Sequence, residues 1–297
     1  MDKEQTALER LRTAAQMSEQ FYHAPLIVTT SGGKDSSVCV ALAQRAGINF
    51  EVQHNHTTAD APETVRFVRA EFKRLEALGI KCTINYPTYK GKPTSMWALI
   101  PKKLMPPTRL VRYCCDVLKE QGGANRMITT GVRWAESAKR KNRGIYEALS
   151  KSKDSRIILG NDNDDRRQLF ERCMQKRESV CNPIIDWTTE DVWGYIEDEK
   201  IPTNPLYECG FKRVGCIGCP MAGKSRYAEF ARYPKYKKLY INAFDRMLAE
   251  RARRGKMDGS WRIGTTGLDI YHWWMEDGVL PGQVEMDELM GEDENDT

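Results

Sequence analysis

Seven consecutive residues, Ser31-Gly32-Gly33-Lys34-Asp35-Ser36-Ser37, have the composition of a loop that cradles phosphate. Glycines let the backbone approach an anion closely, amide N–H groups at a helix start donate to it, Lys34 adds a compact positive charge, and Ser36 and Ser37 add hydroxyl donors. The spacing is not GxxxxGK[ST], so this is not a Walker-type loop. A second chemistry resides in the cysteines. Cys114 and Cys115 are adjacent, and Cys216 and Cys219 form a C-x-x-C pair. Four thiolates suit structural zinc or an iron–sulfur cluster. Zinc sites commonly pair two C-x-x-C knuckles, and a vicinal Cys-Cys makes a poor one. Cys209 could replace one of the vicinal pair or stay free as a sulfur carrier, as could Cys181. Cys39, Cys82 and Cys173 read as small buried apolar residues.

Further along, Arg133 and Arg140 bracket Glu136, and the Glu136–Arg140 spacing also fits an ordinary i, i+4 surface ion pair. His54 and His56 follow a strand pattern and could touch an adenine or a ribose, although two exposed loop histidines would give the same pattern. Asp60 is a candidate Mg²⁺ ligand, because Mg²⁺ prefers one or two carboxylates plus phosphate oxygens; Asp35 is a weaker candidate.

The elements that must position these residues follow from hydrophobic patterning. Residues 4–22 pattern as an amphipathic helix, with Leu8, Leu11, Ala15 and Phe21 at roughly helical spacing. Strands are predicted at 25–30, 49–53, 81–86 and 126–132, and helices at 36–46 and 62–78, with Pro62 suited to a first turn. Strands alternating with helices predict an α/β fold with a twisted parallel sheet covered on both faces, Rossmann-like. The phosphate loop then lies at a strand-to-helix junction, where open α/β sheets bind ligands. From 201 the chain turns loop-rich, then helical and basic. The reading is an N-terminal helix at 1–24, a nucleotide-binding α/β domain at 25–200, a cysteine-containing basic helical part at 201–284 and a disordered acidic tail at 285–297.

The Ser31–Ser37 segment resembles the PP-loop of the adenine-nucleotide α-hydrolase superfamily, whose members cleave or form the α–β phosphate linkage of adenine nucleotides. Further blocks resemble one branch, the phosphoadenosine-phosphosulfate (PAPS) reductase family: residues 56–64 with their Pro62-Glu63-Thr64, residues 112–119 around Cys114-Cys115, and Gly131-Val132-Arg133-Trp134-Ala135-Glu136-Ser137. Asn182-Pro183-Ile184-Ile185-Asp186-Trp187, Asn204-Pro205-Leu206-Tyr207 and Gly215-Cys216-Ile217-Gly218-Cys219-Pro220 complete the series in family order. The resemblance implies the PP-loop fold, nucleotide contacts from residues 31–37, His56, Asp60, Gly131 and Arg133, and catalytic parts for Lys34, Asp35, Arg133 and Glu136. It further implies that Cys114, Cys115, Cys216 and Cys219 hold a [4Fe–4S] cluster, the pattern of the iron–sulfur branch.

Among 297 residues, 40% are hydrophobic and 29% charged, which excludes wholesale disorder, and no apolar run approaches a membrane span. With no signal-peptide core at the start and nine cysteines, the expectation is a reduced, cytoplasmic protein with metal or redox chemistry at close-set thiols. The net charge of +5 includes seven acids at 285–297, so the rest carries 5 + 7 = +12. Basic stretches at 139–177 and 224–256 suit a phosphate backbone or a small polyanion. The aromatics of the second, Tyr227, Phe230, Tyr233, Tyr236, Tyr240 and Phe244, fit a helix core better than base stacking. Relatives that release sulfite from PAPS or adenylyl sulfate (APS) carry a C-terminal Glu-Cys-Gly-x-His nucleophile. Here Glu208-Cys209-Gly210 echoes it internally without the histidine. The intact loop favours ATP and Mg²⁺, with adenylation of an acceptor, nucleic acid in some relatives, followed by sulfur transfer. Sulfonucleotide reduction is the alternative, and a non-catalytic nucleic-acid-binding metal module a further one. A cysteine desulfurase or thioredoxin is the expected sulfur or electron partner.

Overall fold

The computed structural model describes the chain except residues 1, 120–122, 124, 150–155, 161–178, 258–260, 262–263 and 277–297. The acidic segment at 285–297, Cys173 and much of the basic stretch at 139–177 therefore lie outside the described residues. The chain forms two compact units: Met1–His56, Asp60–Tyr86 and Lys119–Gly215 in the first, and Thr57–Ala59, Pro87–Leu118 and Cys216–Thr297 in the second. This differs from a linear division near residue 200, because residues 87–118 belong with the C-terminal part.

The first unit is built on a seven-stranded sheet. In chain order its elements are α1 (Lys3–Met17), β1 (Leu26–Thr29), α2 (Lys34–Arg45), β2 (Phe50–Asn55), α3 (Pro62–Ala77), β3 (Cys82–Asn85), β6 (Met127–Thr129), β7 (Tyr146–Leu149), β8 (Arg156–Gly160), β9 (Ser179–Cys181) and α6 (Thr189–Asp198). The sheet order is β3-β2-β1-β6-β9-β7-β8. The first five of these pair in parallel, with Ile27 opposite both Glu51 and Ile128. β1 is buried nearly throughout, as a strand covered on both faces must be. The expected all-parallel sheet holds for these five strands. β7 runs antiparallel to β9 and β8, giving the sheet an antiparallel edge. Only six residues separate β7 from β8, too few for the crossover that a parallel neighbour needs.

The N-terminal helix belongs to the core of this unit. Asp2 caps α1 by accepting from the Glu4 amide, and Ala7, Leu8, Leu11, Ala14 and Ala15 join the apolar cluster that also holds Val38, Leu42 and Val52. The helix stops at Met17, short of the expected residue 22; one wider π-helical turn, Ser18–Tyr22, follows. The buried Arg10 donates to the Pro183 carbonyl at 2.9 Å and to Asp186 Oδ1 at 2.8 Å, tying α1 to the loop after β9.

The second unit contains a hairpin, β4 (Thr88–Tyr89) with β5 (Lys92–Pro93), then α4 (Met96–Lys103), α5 (Tyr113–Leu118), α7 (Ser225–Arg232), α8 (Pro234–Arg253) and α9 (Gly267–Glu276). Its core is aromatic. Tyr240 meets Trp97 and Trp274 with ring centroids 4.7 Å away in each case, and Phe230 meets Tyr271 at 5.4 Å. Phe230, Tyr233, Tyr240 and Phe244 are buried, as the helix-core reading requires, while Tyr227 is 54% exposed. The buried Arg226 donates to the carbonyls of Trp274 at 2.8 Å and Met275 at 3.2 Å, satisfying the C-terminal end of α9.

One buried carboxylate joins four strand starts in the first unit. Glu51 accepts from Arg126 at 2.7 Å and Lys81 at 3.0 Å, and the same Arg126 nitrogen reaches the Pro25 carbonyl at 2.7 Å. Burial works to raise the Glu51 carboxyl, but the hydrogen bonds from Lys81 and Arg126 outweigh it and hold it below the ordinary value. A carboxyl lowered in the folded state contributes stability that is full above its unfolded value and is lost as pH falls through its folded one. Glu51→Gln is therefore expected to cost about 1–3 kcal/mol at neutral pH, and to flatten the loss of stability below about pH 4.5. Urea denaturation from pH 3 to 7 checks both.

Candidate functional site

Chain order reverses beside β1. The chain runs outward from β1 to β2 and β3, then returns to place β6 on the other side of β1. At such a switch point the loops after the two central strands diverge and leave a crevice. The loop after β1 is Thr30–Gly33, and the loop after β6 begins at Thr130. Gly33 is the N-cap of α2, so the helix start faces this crevice. Ser36 braces the loop by donating to the Gly33 carbonyl at 2.8 Å and accepting from the Ser31 amide at 3.2 Å. Asn204 donates to the Gly32 carbonyl at 3.2 Å.

Asp35 links the two loops. Its carboxylate accepts from Lys34 Nζ at 2.7 Å through one oxygen and from Arg133 Nε at 2.7 Å through the other. Arg133 is 2% exposed and also donates to the Trp187 carbonyl at 3.2 Å. The loop after β6 presses so closely on α2 that a Cβ on Gly131 would lie 2.9 Å from the Asp35 backbone. The stretch from Arg133 to Arg140 is two short 3₁₀ turns, Trp134–Glu136 and Ala138–Arg140. Glu136 accepts from the Arg133 amide at 3.0 Å and also pairs with Arg140, so it both organises the loop and forms the i, i+4 ion pair. Burial lowers the Arg140 guanidinium from its usual range, and the nearby charges of Arg143, Arg213 and Arg133 act the same way against Asp35. Positive charge is thus concentrated beside the phosphate loop.

Tyr207 completes this site. Its hydroxyl accepts from the Lys34 amide at 2.9 Å, and burial raises its phenol, which keeps its proton. The tyrosine lies in the Asn204–Tyr207 block that the sequence marks as characteristic, yet nothing in the local pattern says that its hydroxyl returns to residue 34. His54 and His56 differ from exposed loop histidines. His54 lies in β2, is buried, and has Nδ1 2.9 Å from the Thr30 carbonyl; His56 Nδ1 is 3.3 Å from Asp60 Oδ2. Burial lowers the His54 imidazole and so favours its neutral form.

The four candidate cysteine ligands all lie in the second unit. Cys114 and Cys115 are in α5, and Cys216 and Cys219 bracket a tight turn in which the Cys219 amide donates to the Cys216 carbonyl at 3.2 Å. A hydrogen bond with Cys115, burial, and the electrostatic influence of Cys115, Cys216 and Cys219 all raise the Cys114 thiol, so the four sulfurs are electrostatic neighbours. Arg112 donates to Cys115 Sγ at 3.3 Å. Among the described residues, the candidate donor atoms of His54, His56 and Asp60 all lie within 4.8 Å of one another. The turn itself is rigidly held: Gly218 N donates to Glu229 Oε2 at 2.7 Å and Tyr240 donates to the Ile217 carbonyl at 2.9 Å. Of the other cysteines, Cys39 and Cys181 are buried, Cys82 is half-buried, and Cys209 is exposed in the first unit.

Residues 25–222 match the family model of the phosphoadenosine phosphosulfate reductase domain. An uncharacterized protein of Methanocaldococcus jannaschii is 30% identical over 243 residues, which cover 78% of this chain and 50% of that protein. The chain thus spans about half the length of that relative. The adenosine 5′-phosphosulfate reductase of Bacillus cereus is 24% identical over 224 residues, covering 71% of this chain and 81% of the reductase. The phosphoadenylyl-sulfate reductase of Candida auris, solved as a phosphate complex, aligns with a TM-score of 0.46 at 20% identity, covering 71% of this chain and 88% of that one.

The cysteine turn makes a direct prediction. Gly218 has φ +74° and a Cβ there would lie 2.4 Å from Phe230, whereas Gly255 has φ +65° with nothing within 4 Å. Gly255→Ala should cost only the left-handed backbone penalty, about 1–2 kcal/mol. Gly218→Ala should cost about 1–3 kcal/mol more through overpacking. Thermal unfolding of the two variants checks the difference.

Proposed function

Because the chain belongs to the phosphoadenosine phosphosulfate reductase domain family, we propose that it is a PP-loop enzyme of sulfur chemistry that binds ATP, adenylates an acceptor and exchanges the adenylate for sulfur. The observation that carries this reading is the placement of Lys34, Arg133 and the start of α2 around one crevice, with Asp35 fixing both cations. In the first step an acceptor oxygen attacks the α-phosphorus, the α–β P–O bond breaks, and pyrophosphate leaves with its charge held by Lys34, the loop amides and the guanidinium of Arg133. Mg²⁺ carried by the phosphates, with Asp60 as its candidate carboxylate, would neutralise more of that charge. Glu136 acts through Arg133, by fixing its backbone, and is a positioning residue. Tyr207 accepts from the Lys34 amide and keeps its own proton to donate to a phosphate oxygen. In the second step a sulfur nucleophile attacks the activated atom of the acceptor and AMP leaves.

The donor set in the second unit fits an iron–sulfur cluster. Soft thiolates are the ligands such clusters take. A vicinal pair such as Cys114-Cys115 makes a poor zinc knuckle. Cys114, Cys115, Cys216 and Cys219 would hold a [4Fe–4S] cluster, one thiolate to each iron, which would supply electron-transfer chemistry. Arg112, donating to Cys115, would stabilise the thiolate charge. The exposed lysines of α8, Lys235 and Lys238, support a polyanionic acceptor such as a nucleic acid. No helix among the described residues is long and apolar enough to cross a membrane.

A second reading is sulfonucleotide reduction, and Cys209 supports it. This thiol is exposed two residues after Tyr207, which touches the phosphate loop, and it could attack the sulfur of PAPS or adenylyl sulfate. Anaerobically purified protein distinguishes the two. The expected result is about four irons per chain, with pyrophosphate formed from Mg-ATP and acceptor, and AMP formed when sulfide is also supplied. Lys34→Ala and Arg133→Gln should each slow pyrophosphate release about 100-fold, and Cys114→Ser should lose iron while retaining ATP affinity. Sulfite and adenosine 3′,5′-bisphosphate from PAPS, lost in Cys209→Ser, would replace this reading with the reductase.

A further inference from the structure

We propose that His54, His56 and Asp60 form a binding site for a divalent transition metal of the zinc, iron(II) or cobalt(II) class. Their donor atoms, one from each residue, all lie within 4.8 Å of one another. The strand builds the pair of imidazoles: His54 is in β2 and His56 continues its ladder, its amide donating to the Asn85 carbonyl at 2.9 Å. Residues two apart on an extended strand share a face. The chain then turns before α3 and returns Asp60 to within 3.3 Å of the His56 ring.

Three features make this more than an ion pair between a histidine and an aspartate. First, the Thr30 carbonyl can only accept, so the 2.9 Å contact places a hydrogen on His54 Nδ1 and leaves the Nε2 lone pair as the ligand. Metal-ligating histidines are oriented in this way by a carbonyl or carboxylate on their other nitrogen. Second, His54 is 3% and Asp60 7% exposed, so water has little access to compete with these donors for an ion. Third, a cavity of about 10 Å³ adjoins the two imidazoles, walled by Val65, Val68, Arg69, Ile84 and Tyr86, with room for about one water molecule.

The chemistry of the donors selects the metal. Imidazole nitrogen suits zinc and iron, whereas magnesium prefers an all-oxygen shell. Two histidines and one carboxylate also leave a coordination position open, as catalytic sites do and structural sites do not. Thr30 immediately precedes the phosphate loop, so the ion would be anchored beside it. The site does not depend on ATP being the substrate, although it would replace magnesium at Asp60 in that reading.

Cobalt(II) provides the test, because thiolate-bound cobalt shows intense sulfur-to-metal charge transfer and a His/Asp site shows only weak visible bands. Chelator-stripped full-length protein is titrated with cobalt(II), and His54→Gln, His56→Gln and Asp60→Asn are compared with wild type. The expected result is one equivalent without charge-transfer bands, held at least about tenfold more weakly in each variant and not displaced by millimolar Mg²⁺. Circular dichroism and thermal unfolding report on folding; should His54→Gln unfold, the half-buried His56 carries the test. Absence of a thiolate-free equivalent, wild-type affinity in the folded variants, or displacement by Mg²⁺ would overturn the proposal. None of these outcomes depends on turnover, so the failure of this site and the failure of ATP activation are separable.

Discussion

The Asp35 carboxylate holds together the crevice between the loops after β1 and β6 in the first unit. It stands in the first turn of α2, where a negative charge interacts favourably with the helix dipole, and it accepts from Lys34 on one side and Arg133 on the other. Arg133 is almost completely buried, so it needs this partner: removing one member of a buried ion pair costs about 3–5 kcal/mol because the other is left uncompensated. The same contact sets the loop after β6 against the helix, which is why position 131 has no room for a side chain. The arrangement holds two cations beside a helix N-terminus before any ligand arrives, and so removes much of the ordering cost of binding a polyphosphate.

The second unit solves a different problem. Four thiols from two distant segments lie in one electrostatic neighbourhood, and short helices and loops alone do not bury enough surface to fix them there. The aromatic cluster of Trp97, Phe230, Tyr240, Phe244 and Trp274 provides the rigid support. Tyr240 serves both purposes, since its ring lies in this cluster while its hydroxyl holds the Ile217 carbonyl in the Cys216–Cys219 turn. Arg226, which stacks on Trp274 with its guanidinium 5.1 Å from the ring centroid, closes the far end of the same core.

Much of this was legible in the sequence wherever the determinant is local. The phosphate loop, the strand before it and the helix after it follow from glycine, serine and apolar patterning, and Pro62 marks the first turn of α3. Determinants set by partners far away in the chain were not legible. Whether β7 pairs in parallel or antiparallel depends on its neighbours β8 and β9, not on its own residues. The burial of His54 follows from the sheet register and the Thr30 carbonyl, whereas a histidine at a strand end looks the same exposed. Asp35 could be read as a metal ligand, but its oxygens are committed to Lys34 and Arg133. The membership of residues 87–118 in the second unit is likewise a matter of tertiary contact. The Asn204–Tyr207 block was visible as a motif, but the bond from the Lys34 amide to Tyr207 spans 173 positions and leaves no local trace.

In the proposed function, the crevice between the loops after β1 and β6 takes the triphosphate of ATP. Titration calorimetry of the anaerobic protein with a non-hydrolysable ATP analogue, AMP and adenylyl sulfate tests it most directly. The triphosphate is expected to bind at least about tenfold more tightly than either of the others, a difference of about 1.4 kcal/mol. Tighter binding of adenylyl sulfate, with the triphosphate no better than AMP, would contradict it.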